Sequence, residues 1–187
     1  QTCALPISGL PVQIWGLDIA RKRDFAVLIG LDANRHVAAL HRWHGLSYSA
    51  LLSEVKRIVG VAAKACCIYD ATGVGDAFGE QMTDARIWCE PFIFTNASKQ
   101  GLIEGLALAI QQGRTTVIDG PHRTELEAFE YDLKNGRVIY GAPASMHDDC
   151  VCAHALAWYG AERFGITNIR RRAVLGNAAT NTRQRTW

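Results

Sequence analysis

Residues 14–20 read IWGLDIA, and this stretch decides the predicted fold. Its aromatic and β-branched residues favour a β-strand, in which successive side chains point to opposite faces of the sheet. Alternation puts Trp15 and Ile19 on one face, and Gly16 and Asp18 on the other. An aspartate inside a strand is unfavourable unless it has a partner or a task. Asp18 is therefore either bonded to a local backbone amide or part of a functional site.

The pattern around this strand predicts an antiparallel meander followed by a parallel crossover. Three strand-like runs joined by short polar links come first, at residues 12–20, 25–32 and 36–44. Apolar residues then recur at helical spacing over residues 51–62, with Ser47 or Ser49 as the cap. A short apolar strand over residues 65–69 ends at Asp70. The strand–helix–strand order implies a right-handed crossover, which lays this strand parallel to the first.

The remaining patterns complete one α/β domain with a mixed sheet. They predict a strand over residues 86–95, a helix from Asn96 or Ser98 to Gly113, a helix over residues 125–131, a hairpin turning at Asn135 and Gly136, and a helix from the cap Asp148 to the region of Phe164. The domain is expected to cover residues 12–165, and residues 166–187 form a basic, flexible tail.

The composition is that of an ordinary globular domain. Of the 187 residues, 49% are hydrophobic and 20% charged, which excludes a wholly disordered chain. We see no apolar run long enough for a membrane span and no signal peptide, so no membrane partner is expected. The six cysteines show no disulfide framework, which favours reduced thiols in the cytoplasm. The net charge of +2 hides a basic tail, which either adds affinity for DNA or only aids solubility.

A second acid is predicted to lie beside Asp18. Asp70 ends the parallel strand and is followed by glycines, so it is a turn residue or a ligand. If the two strands are neighbours, their backbones lie about 4.8 Å apart and both carboxylates meet at one sheet edge. Like charges at that distance are unfavourable unless a cation lies between them. A hard divalent ion such as Mg²⁺, which prefers oxygen ligands, suits this edge.

The start of the last helix supplies a third acid. Asp148 and Asp149 are adjacent there, and an acid at a helix start is common as a cap. We assign the cap to Asp148 and let Asp149 project from the first turn, although the two roles are exchangeable. Acids from two strands and one helix start fit a site that holds two metal ions on a phosphodiester.

These stretches resemble the nuclease domain of the large terminase subunit of tailed phages, within the ribonuclease-H-like superfamily. The matching segments are WGLDIA at 15–20 with Asp24 downstream, YDATGVGD at 69–76, TNASK at 95–99 leading into Leu102 and Ile103, and HDD at 147–149 leading into AHALA at 153–157. Their order and spacing match over residues 12–162. The resemblance implies a ribonuclease-H-like mixed sheet, with three antiparallel strands and then parallel additions, flanked by helices and followed by a hairpin and a helix.

The resemblance also implies a metal-dependent DNA endonuclease. It implies catalytic acids at Asp18, Asp70 and Asp149, with Asp148 as a further metal ligand, and Mg²⁺ or Mn²⁺, with two ions expected. It implies double-stranded viral DNA as the substrate during genome packaging, and a terminase ATPase domain, a small terminase subunit and a portal as partners in the cytoplasm of the host cell. No Gly-x4-Gly-Lys-Ser/Thr motif occurs, so the ATPase motor is expected to be absent from this chain.

Other polar residues are candidates for supporting roles. Lys99 opens a helix and either contacts a DNA phosphate or is solvated. The basic turn of Arg21, Lys22 and Arg23 either holds the DNA backbone or is a solvated loop. Three further residues are expected beside the metal ligands rather than on the metal, namely Asp24, Asp76 and His147.

Several alternatives stay open. A zinc site from His147, Cys150, Cys152 and His154 is disfavoured, because Cys152 points away from the others on a helix. Related resolvases carry an acid where this sequence has Cys152, which leaves room for a catalytically degenerate module that binds DNA or assists assembly. A Holliday-junction resolvase shares the chemistry, and half of an actin-like ATPase shares the first strand and the glycine loop.

Overall fold

A mixed six-stranded sheet lies at the centre of the structure, which is a computed structural model. The described residues are 5–6, 10–19, 25–61, 65–73, 77–134, 137–143 and 146–166. The sheet strands are β1 (Leu5–Pro6), β2 (Ile14–Asp18), β3 (Phe25–Leu31), β4 (Val37–His44), β5 (Cys66–Asp70) and β6 (Cys89–Phe92). A separate hairpin pairs β7 (Glu130–Lys134) with β8 (Arg137–Gly141). Its turn residues, Asn135 and Gly136, lie outside the described residues.

The strand order is β1-β4-β3-β2-β5-β6, and it confirms the predicted topology. Strands β2, β3 and β4 form an antiparallel meander, while β5 and β6 are added in parallel. The short β1, which pairs antiparallel with β4, was not predicted, because residues 1–11 carry no periodic pattern. The predicted limits of the domain, at residues 12 and 165, stay a prediction, and residues 167–187 lie outside the described part of the chain.

Five helices flank the strands in the described residues, namely α1 (Tyr48–Val61), α2 (Ala77–Asp84), α3 (Asn96–Gln111), α4 (Pro121–Ala128) and α5 (Asp149–Phe164). The predictions of α1, α3 and α5 are confirmed. No helix in the described residues has the length and apolar character needed to cross a bilayer.

Three predicted element boundaries are wrong for local reasons. The helix predicted over residues 125–131 begins earlier, at Pro121 after the positive-φ Gly120, and the chain becomes extended at Phe129 to enter the hairpin. The strand predicted over residues 86–95 shortens to β6, because the chain around Arg86 still closes the unpredicted helix α2. Helix α3 is capped by Thr95, which exchanges hydrogen bonds with Ser98, rather than by Asn96 or Ser98.

The side chains of β2 alternate between the two faces of the sheet, as predicted, and an apolar layer covers each face. Trp15 and Leu17 pack with α1 and α2 on one face of the sheet. Ile14 packs with α3 and α5 on the other face, which is also the face of Gly16 and Asp18. Helix α5 is almost completely buried, because it lies between the sheet and α3 and α4. Its first residue is thereby held over the face that carries Asp18.

Gly16 permits this close approach. A Cβ atom built at Gly16 would lie 2.0 Å from the carbonyl oxygen of Ala153 and 2.4 Å from the backbone nitrogen of Ala157. Both atoms belong to the backbone of α5, so the helix itself would have to move to make room for a methyl group.

We expect Gly16→Ala to lower the free energy of unfolding by about 3 kcal/mol or more, because a backbone clash in a packed core has no local relief. Urea unfolding measures the change. The control is Gly105→Ala, at an open position in α3, which should stabilise by about 0.5–1 kcal/mol through helix propensity. A Gly16→Ala protein as stable as the wild type would contradict the packing described.

Candidate active site

The sheet register brings Asp18 and Asp70 side by side. In the parallel pair β2 and β5, Leu17 lies opposite Tyr69, so the next residue of each strand is one of the two aspartates. Both aspartates follow the alternation of Ile14 and Ile68, which face α5. Neighbouring strands are about 4.8 Å apart, so the two carboxylates share one edge and one face of the sheet.

Asp149 reaches the same edge from helix α5. It is the first residue of the helix and is buried. The backbone N–H of Phe25 donates a hydrogen bond to Asp149 Oδ2 at 3.3 Å. Phe25 begins β3, whose residue Val27 pairs with Asp18 at the end of β2. The third acid therefore lies beside the end of β2, as the sequence predicts.

The pKa values of two of the acids are raised by burial and by nearby negative charges. Burial raises the pKa of Asp18 well above its usual value, and the negative charges of Asp149, Asp70 and Asp148 raise it further. Burial also raises the pKa of Asp149 to about 6, with help from the charge of Glu125. The acids of this edge thus repel one another, and the site gains from a cation.

Asp70 also has the turn role that the sequence left open. Its Oδ1 accepts a hydrogen bond from the backbone N–H of Thr72 at 2.7 Å, which closes the turn after β5. The Thr72 hydroxyl oxygen in turn accepts from the N–H of Phe94, beyond β6. This turn fixes the orientation of the Asp70 carboxyl group, so the structural and the functional interpretation are compatible.

Lys99 lies among the acids. Its Nζ donates to Asp148 Oδ2 at 2.7 Å, and its side chain is half-buried. Burial opposes the charge of Lys99, but the neighbouring Cys152 and Asp148 outweigh this effect, and the pKa of Lys99 is raised. Asp18 also favours the Lys99 charge. Lys99 is therefore a cation of the acidic edge, and its predicted contact with a DNA phosphate stays a prediction.

The capping role assigned to Asp148 is wrong for its side chain. Asp148 occupies the N-cap position of α5, but its carboxylate makes no capping hydrogen bond there. It is paired with Lys99 instead. The N–H of Cys150, in the first turn, donates to Glu125 Oε2 at 2.7 Å, so a residue of α4 satisfies the helix start. Asp148 therefore pairs with the charge of Lys99, and Glu125 accepts the hydrogen bond from the first turn of α5 in its place.

His147 lies beside Asp149, where the sequence places it. Its Nδ1 is 3.6 Å from Asp149 Oδ2, and its ring stands edge-on to the ring of Phe25. Five further candidates lie outside the described residues, namely Arg21, Lys22, Arg23, Asp24 and Asp76. Their predicted roles stay predictions.

His154 does not join the site. The N–H of Ile118 donates to His122 Nδ1, so the other ring nitrogen of His122 carries the proton and donates to His154 Nδ1 at 3.0 Å. His154 Nε2 then donates to the hydroxyl of Thr115 at 3.0 Å. Burial lowers the pKa of His154 well below its usual value, so the ring stays neutral. Both nitrogens are occupied, which removes His154 from the zinc alternative.

Two residues at this site were missed in the sequence. Arg42 and Glu125 form an ion pair against the start of α5, with Arg42 Nη2 3.0 Å from Glu125 Oε1. A charged residue inside the predicted strand 36–44 was a usable signal for Arg42, of the same kind that singled out Asp18. Nothing local marks Glu125, because its partners are distant in the sequence.

The donor atoms at the edge are carboxylate oxygens, which suit Mg²⁺ or Mn²⁺. Among the described residues, no group of three or more His, Cys, Asp or Glu side chains lies close enough together, as positioned in this structure, to hold a metal ion. The acids are gathered on one face but are not drawn together around a point.

Comparison with known proteins gives both sequence and structural relatives. The chain is 31% identical over 147 residues to the large terminase subunit of Thermus phage G20c, and 30% identical to that of Thermus virus P23-45. Each match covers 76% of this chain and 30% of the relative, so the chain spans about a third of the length of these curated relatives. No family model matches the sequence.

Solved structures share the fold. The crystal structure of the large terminase nuclease from thermophilic phage G20c with bound magnesium has a TM-score of 0.75 and 27% identity, and the match covers 83% of this chain and 86% of that one. The large terminase nuclease domain of Thermus phage P74-26 has a TM-score of 0.72 at 23% identity, with coverage of 84% and 85%. By sequence and by its ribonuclease-H-like fold, the chain belongs to the nuclease domains of phage terminase large subunits.

Proposed function

We propose that this domain is a divalent-metal-dependent endonuclease that hydrolyses phosphodiester bonds of double-stranded DNA. The observation that carries the proposal is the convergence of Asp18, Asp70 and Asp149 on one face at one edge of the sheet. The turn after β5 accounts for Asp70, but no structural need explains three acids at one edge, because their mutual repulsion is a cost to the folded state. Phosphodiester hydrolysis by metal ions does need such a cluster.

The residues present fit a hard divalent ion. Asp18, Asp70 and Asp149 would hold Mg²⁺ or Mn²⁺, and two ions, with Asp148 as a further ligand, match the number of carboxylates. Structures of the phage G20c nuclease with magnesium, cobalt and zinc support a divalent cofactor. When bound, such ions neutralise charge on the scissile phosphate and lower the pKa of an attacking water.

The protein's own groups orient these ligands before any ion binds. The Thr72 N–H holds the Asp70 carboxyl group, and the Phe25 N–H holds that of Asp149. Lys99 keeps a positive charge beside Asp148. A phosphate approaching this edge would meet that charge, so Lys99 is the described cation best placed to attract the scissile group. We include Arg21, Lys22 and Arg23 as contacts to the DNA backbone, and Asp24, Asp76 and His147 as neighbours of the metal ligands.

The biological task is inferred from the relatives. Both are large terminase subunits, so we propose that the domain cuts viral DNA during genome packaging in the cytoplasm of the host cell. Its partners would be a terminase ATPase domain, a small terminase subunit and the portal. Two alternative functions give different results from this proposal. A junction resolvase would cut branched DNA in preference to linear DNA, and a catalytically degenerate module would bind DNA without cutting it.

We expect Asp18→Asn and Asp70→Asn each to reduce cleavage at least about 100-fold, because each removes a charged metal ligand. Nicking of supercoiled plasmid in Mn²⁺, with EDTA as the blank, measures the effect. Asp119→Asn is the matched control, since that carboxylate is 90% exposed and is paired with Arg123, and it should cut like the wild type. Normal cleavage by the Asp18 variant would refute the assignment.

In the absence of metal, Asp18→Asn should raise the free energy of unfolding at pH 7.5, because a neutral isostere replaces a half-buried carboxylate that the neighbouring acids repel. Folding raises the pKa of Asp18. The ionisation of this group therefore destabilises the wild type as the pH rises above the usual pKa of an aspartate. The gain of the variant should therefore grow from pH 4.5 to pH 7.5. Urea unfolding in EDTA measures both, and a variant less stable at pH 7.5 would contradict the electrostatics.

Metal binding should weaken in acid. The pKa of Asp149 is raised to about 6, so below that pH an ion must displace a proton from this carboxyl group. We expect the affinity for Mn²⁺ to be at least about tenfold weaker at pH 5 than at pH 7. Isothermal titration calorimetry measures it, and equal affinities at the two pH values would exclude Asp149 as a ligand.

A further inference from the structure

An ion pair between a half-buried arginine and a buried glutamate lies against the start of α5. Arg42 of β4 and Glu125 of α4 are joined by a 3.0 Å contact between Nη2 and Oε1, and their side chains are 19% and 5% exposed. Neither residue belongs to the acids that would hold metal. Both nevertheless touch the segments that fix Asp149.

We propose that Glu125 and Arg42 are positioning residues for Asp149, which hold its backbone and its carboxyl group in the orientation for metal binding. The inference rests on the proposed function. It assigns no direct contact with metal or DNA to either residue.

Glu125 holds the backbone of the first turn of α5. Its Oε2 accepts the N–H of Cys150 at 2.7 Å, while its Oε1 accepts from Arg42. The N-cap residue Asp148 makes no such bond with its side chain. Glu125 therefore replaces the cap from another helix and pins the first turn of α5, in which Asp149 is the first residue.

Arg42 acts on the side-chain carboxyl group of Asp149, through Phe25. Its guanidinium carbon lies 3.3 Å from the centre of the Phe25 ring, so the planar group covers the ring face. Phe25 pairs with His44 across the strands, which makes Arg42 its diagonal neighbour on the same face. The backbone N–H of Phe25 is the donor to Asp149 Oδ2. Arg42 thus links its ion pair with Glu125 to the hydrogen bond that orients the Asp149 carboxylate.

Stability alone is a weak reason for this pair. Burying two charges costs about as much as their attraction returns, and well-packed apolar replacements are often neutral or stabilising. A pair that adds little stability and still fixes its neighbour from two sides is explained by positioning.

The test combines two variants with a matched control. Glu125→Gln keeps the shape and removes the charge, and Arg42→Met keeps an apolar stem over Phe25 and removes the guanidinium. The control is Glu162→Gln, which breaks ion pairs with Arg35 and Arg114 near the other end of the same helix. Hydrogen exchange of single amides by NMR in EDTA gives a readout that needs no metal, and calorimetry with Mn²⁺ gives a second.

We expect exchange at least tenfold faster at the Cys150 amide in Glu125→Gln and at the Phe25 amide in Arg42→Met, with both proteins folded. Both variants should bind Mn²⁺ about tenfold more weakly, and plasmid cleavage should lose kcat while KM for DNA stays unchanged. Glu162→Gln should match the wild type in every measurement. If Arg42→Met fails to fold, Arg42→Lys retains the charge without the planar stack and should show the same loss at Phe25.

Wild-type exchange at both amides together with wild-type Mn²⁺ affinity in the folded variants would overturn the inference. An equal effect of Glu162→Gln would overturn it too, because the pair would then act only through general stability. A wild-type protein that neither binds Mn²⁺ nor cuts DNA would refute the proposed function instead, and the amide measurements would still decide whether the pair holds Asp149.

Discussion

The close approach of α5 to β2 at Gly16 is the constraint on which the site depends. A side chain at Gly16 would collide with backbone atoms of Ala153 and Ala157, so the helix lies directly on the strand only because none is present. This contact sets the height of α5 above the sheet. It thereby places Asp149 over the edge where β2 and β5 deliver Asp18 and Asp70.

The acidic edge that results is costly to the folded protein. Burial and neighbouring negative charges raise the pKa of both Asp18 and Asp149, and the charge of Lys99 offsets only part of this effect at Asp18. Stabilising contacts surround this edge, including the apolar layers on both faces of the sheet. The arrangement is typical of a functional site, where charge is kept at the expense of stability because the ligand supplies the missing partner.

Much of the fold could be predicted because its signals are local. Alternation in β2 fixed the face of Asp18, and the strand–helix–strand order placed Asp70 beside it. The positions that were missed depend on distant partners. Asp148 pairs with Lys99 rather than capping its own helix, and Glu125 caps α5 from another helix. The chain also becomes extended at Phe129, ahead of the hairpin strand that begins at Glu130. A sequence pattern records spacing, whereas these outcomes depend on which groups meet after folding.

The most direct test is a crystal structure of the domain soaked with Mn²⁺ and measured for anomalous scattering. We expect Mn²⁺ within about 2.2 Å of carboxylate oxygens of Asp18, Asp70 and Asp149 together, the usual distance for a hard divalent ion. An occupied Mn²⁺ site elsewhere, or an acidic edge that stays without Mn²⁺ at saturating concentration and neutral pH, would contradict it.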